Sequence, residues 1–136
     1  MPTFEDPAAD ADEVQTALRA LAHASRSIDD PRQIYLVLGS LTSAIASLSQ
    51  SLHQLASFHD APSQRSTWVV TDSRTGRAAA YKVSWELHRS AEILHQVSES
   101  IGHAHSAEAT ISYDHNDFPA ALADGPHRTV DHGLGL

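Results

Sequence analysis

The stretch DPRQIYLVLGSLTSAIASLSQSLHQLASF, residues 30–58, decides the fold of this chain. A start signal stands at its head, with Asp30 suited to the N-cap, Pro31 to the first helical position and Gln33 to the third. Apolar residues then follow at spacings of four and three: Ile34, Leu38, Leu41, Ile45, Leu48, Leu52 and Leu55. Such a heptad repeat is typical of helices that pack lengthwise against one another. We predict one long helix from Pro31 to about Phe58.

Two further helices flank this one. Asp10 and Glu13 form a capping-box pattern, which predicts a first helix that begins at Asp10. A third helix is predicted to begin between Thr71 and Thr75, and Ile111 extends its pattern. Its small and apolar positions keep a complementary rhythm of three and four: Ala80, Val83, Leu87, Ser90, Leu94, Val97, Ile101 and Ala104.

The segments between and after these helices differ in composition. Pro62 ends the second helix, and Thr67 to Val70 favour an extended connector that carries Trp68. From Asp114 onwards the chain is polar and rich in Gly, Pro, Asp and His, which predicts disorder. The expected organisation is a flexible acidic arm at 1–9, an antiparallel three-helix bundle of all-α class at 10–113, and a disordered tail at 114–136.

Composition excludes several functions. The 136 residues include no cysteine, so thiolate catalysis and disulfides are excluded. The acidic start has no apolar run of a secretory signal, and no uninterrupted apolar stretch approaches the ~18 residues of a membrane span, so we expect a cytoplasmic protein without membrane contact. A net charge of −8 argues against non-specific binding to nucleic acid.

Histidines and glutamates concentrate in residues 85–105. His88, Glu92, His95 and Glu99 are spaced four, three and four apart, so they share one side of the third helix. The unit Glu92-x-x-His95 is the one with which carboxylate bundles hold iron or manganese, but the first two helices offer no inward Asp or Glu to complete it. A site of His88, His95 and His53 is conceivable. We expect a solvated helix side with no metal and no cofactor; the residues that a metal-binding alternative would use are His88, Glu92 and His95.

Basic residues gather between residues 65 and 89. Arg65, Arg74, Arg77, Lys82 and Arg89 face only two acids, Asp72 and Glu86, within this segment. The cluster can contact a phosphate backbone or an acidic partner, or it can pair with the acidic N-terminal arm within one molecule or across a dimer. The overall acidity favours an internal or partner-protein role over nucleic acid.

A stripe of small residues runs along the second helix at four-residue spacing, through Gly39, Ser43, Ser47 and Ser51. Small side chains let another helix approach closely, and the same serines are also typical of a side that faces water. The sequence leaves both interpretations open.

Two segments of the chain resemble a group of small helical proteins: residues 30–58 and the later stretch AEILHQVSESIGHAHSAEATISY. The resemblance rests on the pattern Ile34-Tyr35-x-x-Leu38-Gly39 and on the pair Ala104-His105. These are proteins of unassigned function encoded by high-GC actinobacteria, often beside mobile-element genes. The resemblance covers residues 30–113 and implies a helical accessory protein.

Together these features predict a non-enzymatic module for protein–protein interaction or assembly, a homodimer with an unidentified protein partner. Its interaction seam is expected to consist of Ile34, Leu38, Leu41, Ile45, Leu48, Leu52, Leu55, Leu87, Leu94 and Ile101. Two alternatives are a nucleic-acid-associated accessory factor that uses residues 65–89 and a weakly metal-binding or pH-responsive helical protein.

Overall fold

The computed structural model describes residues 1–60 and 73–114, which contain three helices and no strand. These are α1 (Pro7–Ala24), α2 (Arg32–Asp60) and α3 (Ser73–Glu108). The all-α class and the two long helices are confirmed for the described residues, and α3 begins within the predicted window. The expected connector around Trp68 and the expected disorder of residues 115–136 lie outside the described residues.

The start of α1 differs from the prediction. Asp6, not Asp10, is the N-cap, and its carboxylate accepts hydrogen bonds from the backbone N–H groups of Ala8 and Ala9. Asp10 instead accepts from the backbone N–H groups of Thr3 (2.6 Å) and Phe4 (3.0 Å). These bonds, that of Thr3 above all, lower the pKa of Asp10. The helix therefore begins at an Asp-Pro pair, with proline at the first helical position, and the N-cap lies four residues before the predicted one.

The start of α2 matches the prediction to within one residue. Oδ1 of Asp30 accepts from the backbone N–H of Arg32 at 3.0 Å, and the Arg32 guanidinium binds the same carboxylate. The guanidinium first, and then the backbone N–H, lower the pKa of Asp30. At its other end the helix continues two residues beyond Phe58, to Asp60.

The described residues divide into two compact units, and the second consists of residues 35–111. This unit contains most of α2 and all of α3. The Ser98 hydroxyl reaches the carbonyl of Thr42 at 2.9 Å, whereas the Ser49 hydroxyl reaches the carbonyl of Ala91 at 2.7 Å. Because the partners on α3 come earlier as α2 advances, the two helices form an antiparallel hairpin. The first unit contains residues 1–34 with 112–114, and therefore α1.

Small residues make the contact between α2 and α3. The residues of the hairpin that are buried are Ser49, Ala56, Ser84, Ala91 and Ser98, here named the small-residue seam. They recur every seven residues, as in a heptad pattern, but with alanine and serine where leucine is usual. Side chains of this size allow a hydroxyl of one helix to reach a backbone carbonyl of the other. The two helices therefore approach each other closely along this seam.

The leucines of α2 lie beside this seam. Leu48 stands one position before Ser49 and Leu55 one position before Ala56, just as Val97 precedes Ser98 on α3. One position corresponds to a rotation of about 100° around a helix. Because the helices are antiparallel, equal rotations turn both stripes to the same side of the hairpin. We name this side the leucine face: Leu38, Leu41, Ile45, Leu48, Leu52, Leu55, Val83, Leu87, Leu94, Val97 and Ile101.

The opposite side of the hairpin is polar apart from Trp85. The residues one position after those of the seam are Gln50, Ser57, Trp85, Glu92 and Glu99, all exposed. The hairpin is thus amphipathic as a unit.

Helix α2 also has the length and the apolar composition that a membrane-crossing helix needs. The core helix of a soluble protein and a signal sequence can meet the same two conditions. Among the described residues it alone meets both conditions.

Candidate functional site

A cluster of polar side chains joins the C-terminal half of α2 to α3. Nδ1 of His53 lies 2.8 Å from Nδ1 of His88, and we name these two residues the histidine pair. Each ring has a carboxylate at its other nitrogen. Oδ2 of Asp60 lies 2.9 Å from Nε2 of His88, and Oε1 of Glu92 lies 3.2 Å from Nε2 of His53. The hydroxyl of Ser84 donates to the other oxygen of Asp60.

Asp60 holds the end of α2 to α3 through these bonds. The hydrogen bond from His88, followed by that from Ser84, lowers the pKa of the Asp60 carboxyl. A carboxyl whose pKa is depressed in the folded state stabilises the fold above its ordinary value of 3.8 and loses that contribution as pH falls through the lower folded value. The ionised carboxylate is therefore the form that maintains this end of the hairpin.

The predicted metal candidates are not brought together. His88 turns to His53 and Asp60, Glu92 turns to His53, and His95 lies 3.6 Å from Glu99 on its own helix. Among residues 1–60 and 73–114, no three or more metal-ligating side chains surround a common point.

The expectation of a solvated His/Glu stripe holds for part of it. Glu92, His95 and Glu99 are exposed, but His88 is half-buried against α2. Asp60, two residues beyond the predicted end of α2, is an acidic partner of His88, although its side chain is exposed and does not point inward.

His53 and Asp60 lie on the same side of α2, which was not predicted from the sequence. Asp60 follows His53 by seven residues, as Ala56 follows Ser49, so one heptad register carries the pair. The seven-residue spacing of His53 and Asp60 was visible in the sequence. The leucine pattern of the same helix is stronger, however, and Asp60 lies beyond the predicted helix end.

The order of groups around Ser84 differs from that of a serine hydrolase. In a catalytic triad the serine hydroxyl donates to an imidazole that the carboxylate orients. Here the hydroxyl donates to the carboxylate. The serine is consequently not activated by this arrangement.

An open, shallow groove lies on the polar side of the hairpin, next to the histidine pair. Its lining is hydrophilic apart from one alanine and comprises Ala46, Ser49, Gln50, His53, Gln54, Ser57, Glu92 and His95. The groove gives solvent and small ions access to the histidine pair.

The predicted interaction seam is half-buried or exposed throughout. Leu48 and Leu55 are exposed, and the half-buried members are Ile34, Leu38, Leu41, Ile45, Leu52, Leu87, Leu94 and Ile101. None of the ten is buried, because serine and alanine occupy the contact between the helices. The small stripe predicted on α2 has a mixed outcome: Gly39 lies against the His105 ring, whereas Ser43, Ser47 and Ser51 are exposed.

Four of the five predicted basic residues lie in the first half of α3. Arg74, Arg77, Lys82 and Arg89 are exposed, and the Arg89 guanidinium lies 5.4 Å from the ring centre of Trp85. Arg65 lies outside the described residues. The four do not share one side of α3, since Lys82 and Arg89 stand two positions before a seam residue, whereas Arg77 stands seven positions before Ser84 and so falls on the seam register.

No protein-family model, no curated protein and no solved structure matches this chain.

Proposed function

We propose that this protein is a non-enzymatic helical assembly module that acts as a homodimer through its leucine face. One observation carries the proposal. In the described residues no Leu, Ile, Val, Phe, Tyr or Trp side chain is buried, and the aliphatic side chains that are buried belong to Pro31, Ala56 and Ala91. A continuous apolar strip of this kind is seldom left open on a soluble protein, because burying it is favourable by ~25 cal/mol per Å².

A second copy of the chain suits this face. Both stripes keep the heptad spacing with which helices interlock, and two hairpins related by a two-fold axis bring four helices together as in a four-helix bundle. The expected three-helix bundle remains part of the proposal, with α1 as the third helix. At 1.5 Å per residue, α1 is about 27 Å long and α2 about 43 Å. A helix as short as α1 leaves part of a face of that length for the second copy.

The polar groups of α2 and the resemblance noted above support a proposal for where the protein acts in the cell. Ser49, His53 and Asp60 bind groups of α3, and α3 carries charged residues along most of its length. This pairing favours a cytoplasmic protein over one that inserts α2 into a membrane. We further propose an accessory role in a mobile element, with an unidentified protein partner. Nucleic acid is the less favoured partner because the net charge is −8.

Light scattering at tens of micromolar tests the dimer. The chain has a mass of 14.7 kDa, so the proposal predicts about twice that mass in solution. Leu48→Asp places a charge on the leucine face, where desolvation is costly, and is expected to give the monomer mass.

Ser47→Asp is the matched control. It is the preceding residue on the same helix, it is exposed, and it lies off the leucine face. This variant is expected to keep the dimer mass. A parent protein of about 15 kDa, or equal effects of the two variants, contradicts the proposal. Helical circular dichroism of Leu48→Asp distinguishes dissociation from unfolding.

A further inference from the structure

The histidine pair and its two carboxylates have more hydrogen-bond acceptors than the two imidazole rings have N–H hydrogens. Three contacts compete for the ring hydrogens: the hydrogen bond between His88 and Asp60, the approach of His53 Nε2 to within 3.2 Å of the Glu92 carboxylate, and the contact between the two Nδ1 atoms. A neutral imidazole carries one N–H, so two neutral rings supply two hydrogens. Ionised carboxylates are the stronger acceptors, and they therefore hold both hydrogens at the Nε2 atoms. Both Nδ1 atoms then present lone pairs to each other across 2.8 Å.

We propose that the histidine pair is a binding site for a divalent transition-metal ion, held between the two Nδ1 atoms. Imidazole nitrogen is a preferred ligand of Zn²⁺, Cu²⁺ and Ni²⁺. Metal-binding histidines characteristically donate their remote N–H to a carboxylate, which fixes the tautomer and orients the ring. His53 and His88 each have such a carboxylate, one from each helix. A cation between the lone pairs replaces their repulsion with two coordinate bonds.

The separation of the two nitrogens is close to what a metal requires. With Zn–N bonds of about 2.0–2.1 Å, two cis ligands stand about 2.9 Å apart at a right angle and about 3.3 Å apart at the tetrahedral angle. The observed 2.8 Å reaches this range if the rings part by a few tenths of an ångström. Both side chains are 38% exposed, so the rings have room to move and water can complete the coordination.

The site has two protein nitrogens and lies beside the small-residue seam, on the side away from the leucine face. Other titratable groups of the described residues near it are His59 on α2 and His95 on α3, and His95 pairs with Glu99. Metal binding therefore links α2 to α3 within one chain. Its test does not depend on whether the homodimer forms.

Calorimetric titration of the full chain with Zn²⁺ near pH 7.5 measures this site. The parent is expected to bind one ion per chain more tightly than any other, and His53→Gln and His88→Gln are each expected to weaken that binding at least tenfold. His95→Gln is the matched control, since His95 lines the same groove but lies outside the histidine pair. Ions held by histidines elsewhere in the chain appear equally in all four proteins.

The carboxylates supply a second test that leaves both ligands in place. Glu92→Gln and Asp60→Asn are expected to weaken Zn²⁺ binding about 10- to 100-fold, the usual effect of removing a hydrogen-bond partner of a ligand. Glu92 is exposed, so its variant is expected to fold even if a histidine variant does not. Undiminished binding in His53→Gln, an equal loss in His95→Gln, or absence of a discrete site in the parent overturns the proposal. In the last case a shared proton, not a metal, fills the gap between the rings.

Discussion

At the scale of single residues, the packing of α2 on α3 depends on the small volume of some side chains. A Cβ atom at Gly39 stands 3.1 Å from Nε2 of His105, whose ring stacks on Tyr35 with ring centres 4.1 Å apart. A Cβ atom at Gly102 meets only Cγ2 of Thr42, at an ordinary 3.7 Å. Both glycines lie inside helices, where glycine costs about 1 kcal/mol relative to alanine. The two positions differ in available space and not in helix propensity.

We therefore expect Gly102→Ala to raise the free energy of unfolding by up to about 1 kcal/mol. Gly39→Ala gains the same propensity but forces the His105 ring to move, so its net gain is expected to be smaller or negative. Urea unfolding of the two variants measures the difference. Combining Gly39→Ala with His105→Ala removes the obstacle, and this double variant is expected to recover the alanine gain. Equal effects of the two single variants would falsify this account of Gly39.

At the scale of helices, the small-residue seam sets the distance between α2 and α3. Ala56 and Ala91 are fully buried, and the Ser49 hydroxyl bonds directly to the carbonyl of Ala91. The seam has no space for a branched side chain, because a hydroxyl-to-carbonyl bond of 2.7 Å requires the backbones to be close. Helix pairing is therefore sensitive to side-chain volume at these positions.

Ala91→Leu is expected to destabilise the protein by about 1–3 kcal/mol, since overpacking forces the helices apart. Ala79→Leu, on the exposed side of the same helix, is expected to change stability by no more than about 0.5 kcal/mol. Thermal unfolding followed by circular dichroism compares the two. An Ala91→Leu protein as stable as the parent would mean that leucines, not the small-residue seam, form the helix contact.

At the scale of the whole molecule, charge depends strongly on histidine. The formal charge is −8 with all ten histidines neutral, and protonating them all changes it by ten, to +2. Histidine ordinarily titrates near pH ~6.5, so the molecule passes through zero charge between neutral and mildly acidic pH. Proteins with an exposed apolar surface associate most readily when their net charge is near zero.

Solubility is accordingly expected to fall as pH is lowered from 7 and to reach its minimum near the isoelectric point of about 5.6. Turbidity of a concentrated sample at fixed salt, stepped from pH 8 to pH 5, measures this. Leu48→Asp is expected to reduce the turbidity because it interrupts the leucine face. A solubility that does not vary with pH would show that most histidines do not gain protons in this range.

The sequence by itself determined the helices. Cap residues and proline predicted the start of α2, and the start of α3 was predicted between Thr71 and Thr75. The periodic leucines predicted that both helices are long. These features are local, because they depend on hydrogen bonds and side chains within a few residues. The exception is also local: α1 begins after the cap residue Asp6 and not at the predicted Asp10.

Only the tertiary structure decided which side of each helix is buried in the hairpin. The leucine stripe and the small-residue seam share one seven-residue period and differ by a single position, so periodicity cannot choose between them. The choice rests on interhelical bonds such as those of Ser49 and Ser98, which require close backbones and which small residues alone permit. That rotation of about 100° brings His53 and Asp60 to His88, and it leaves the leucines beside the helix contact, half-buried or exposed. The candidate site therefore follows from how two helices approach each other, a property that neither helix possesses alone.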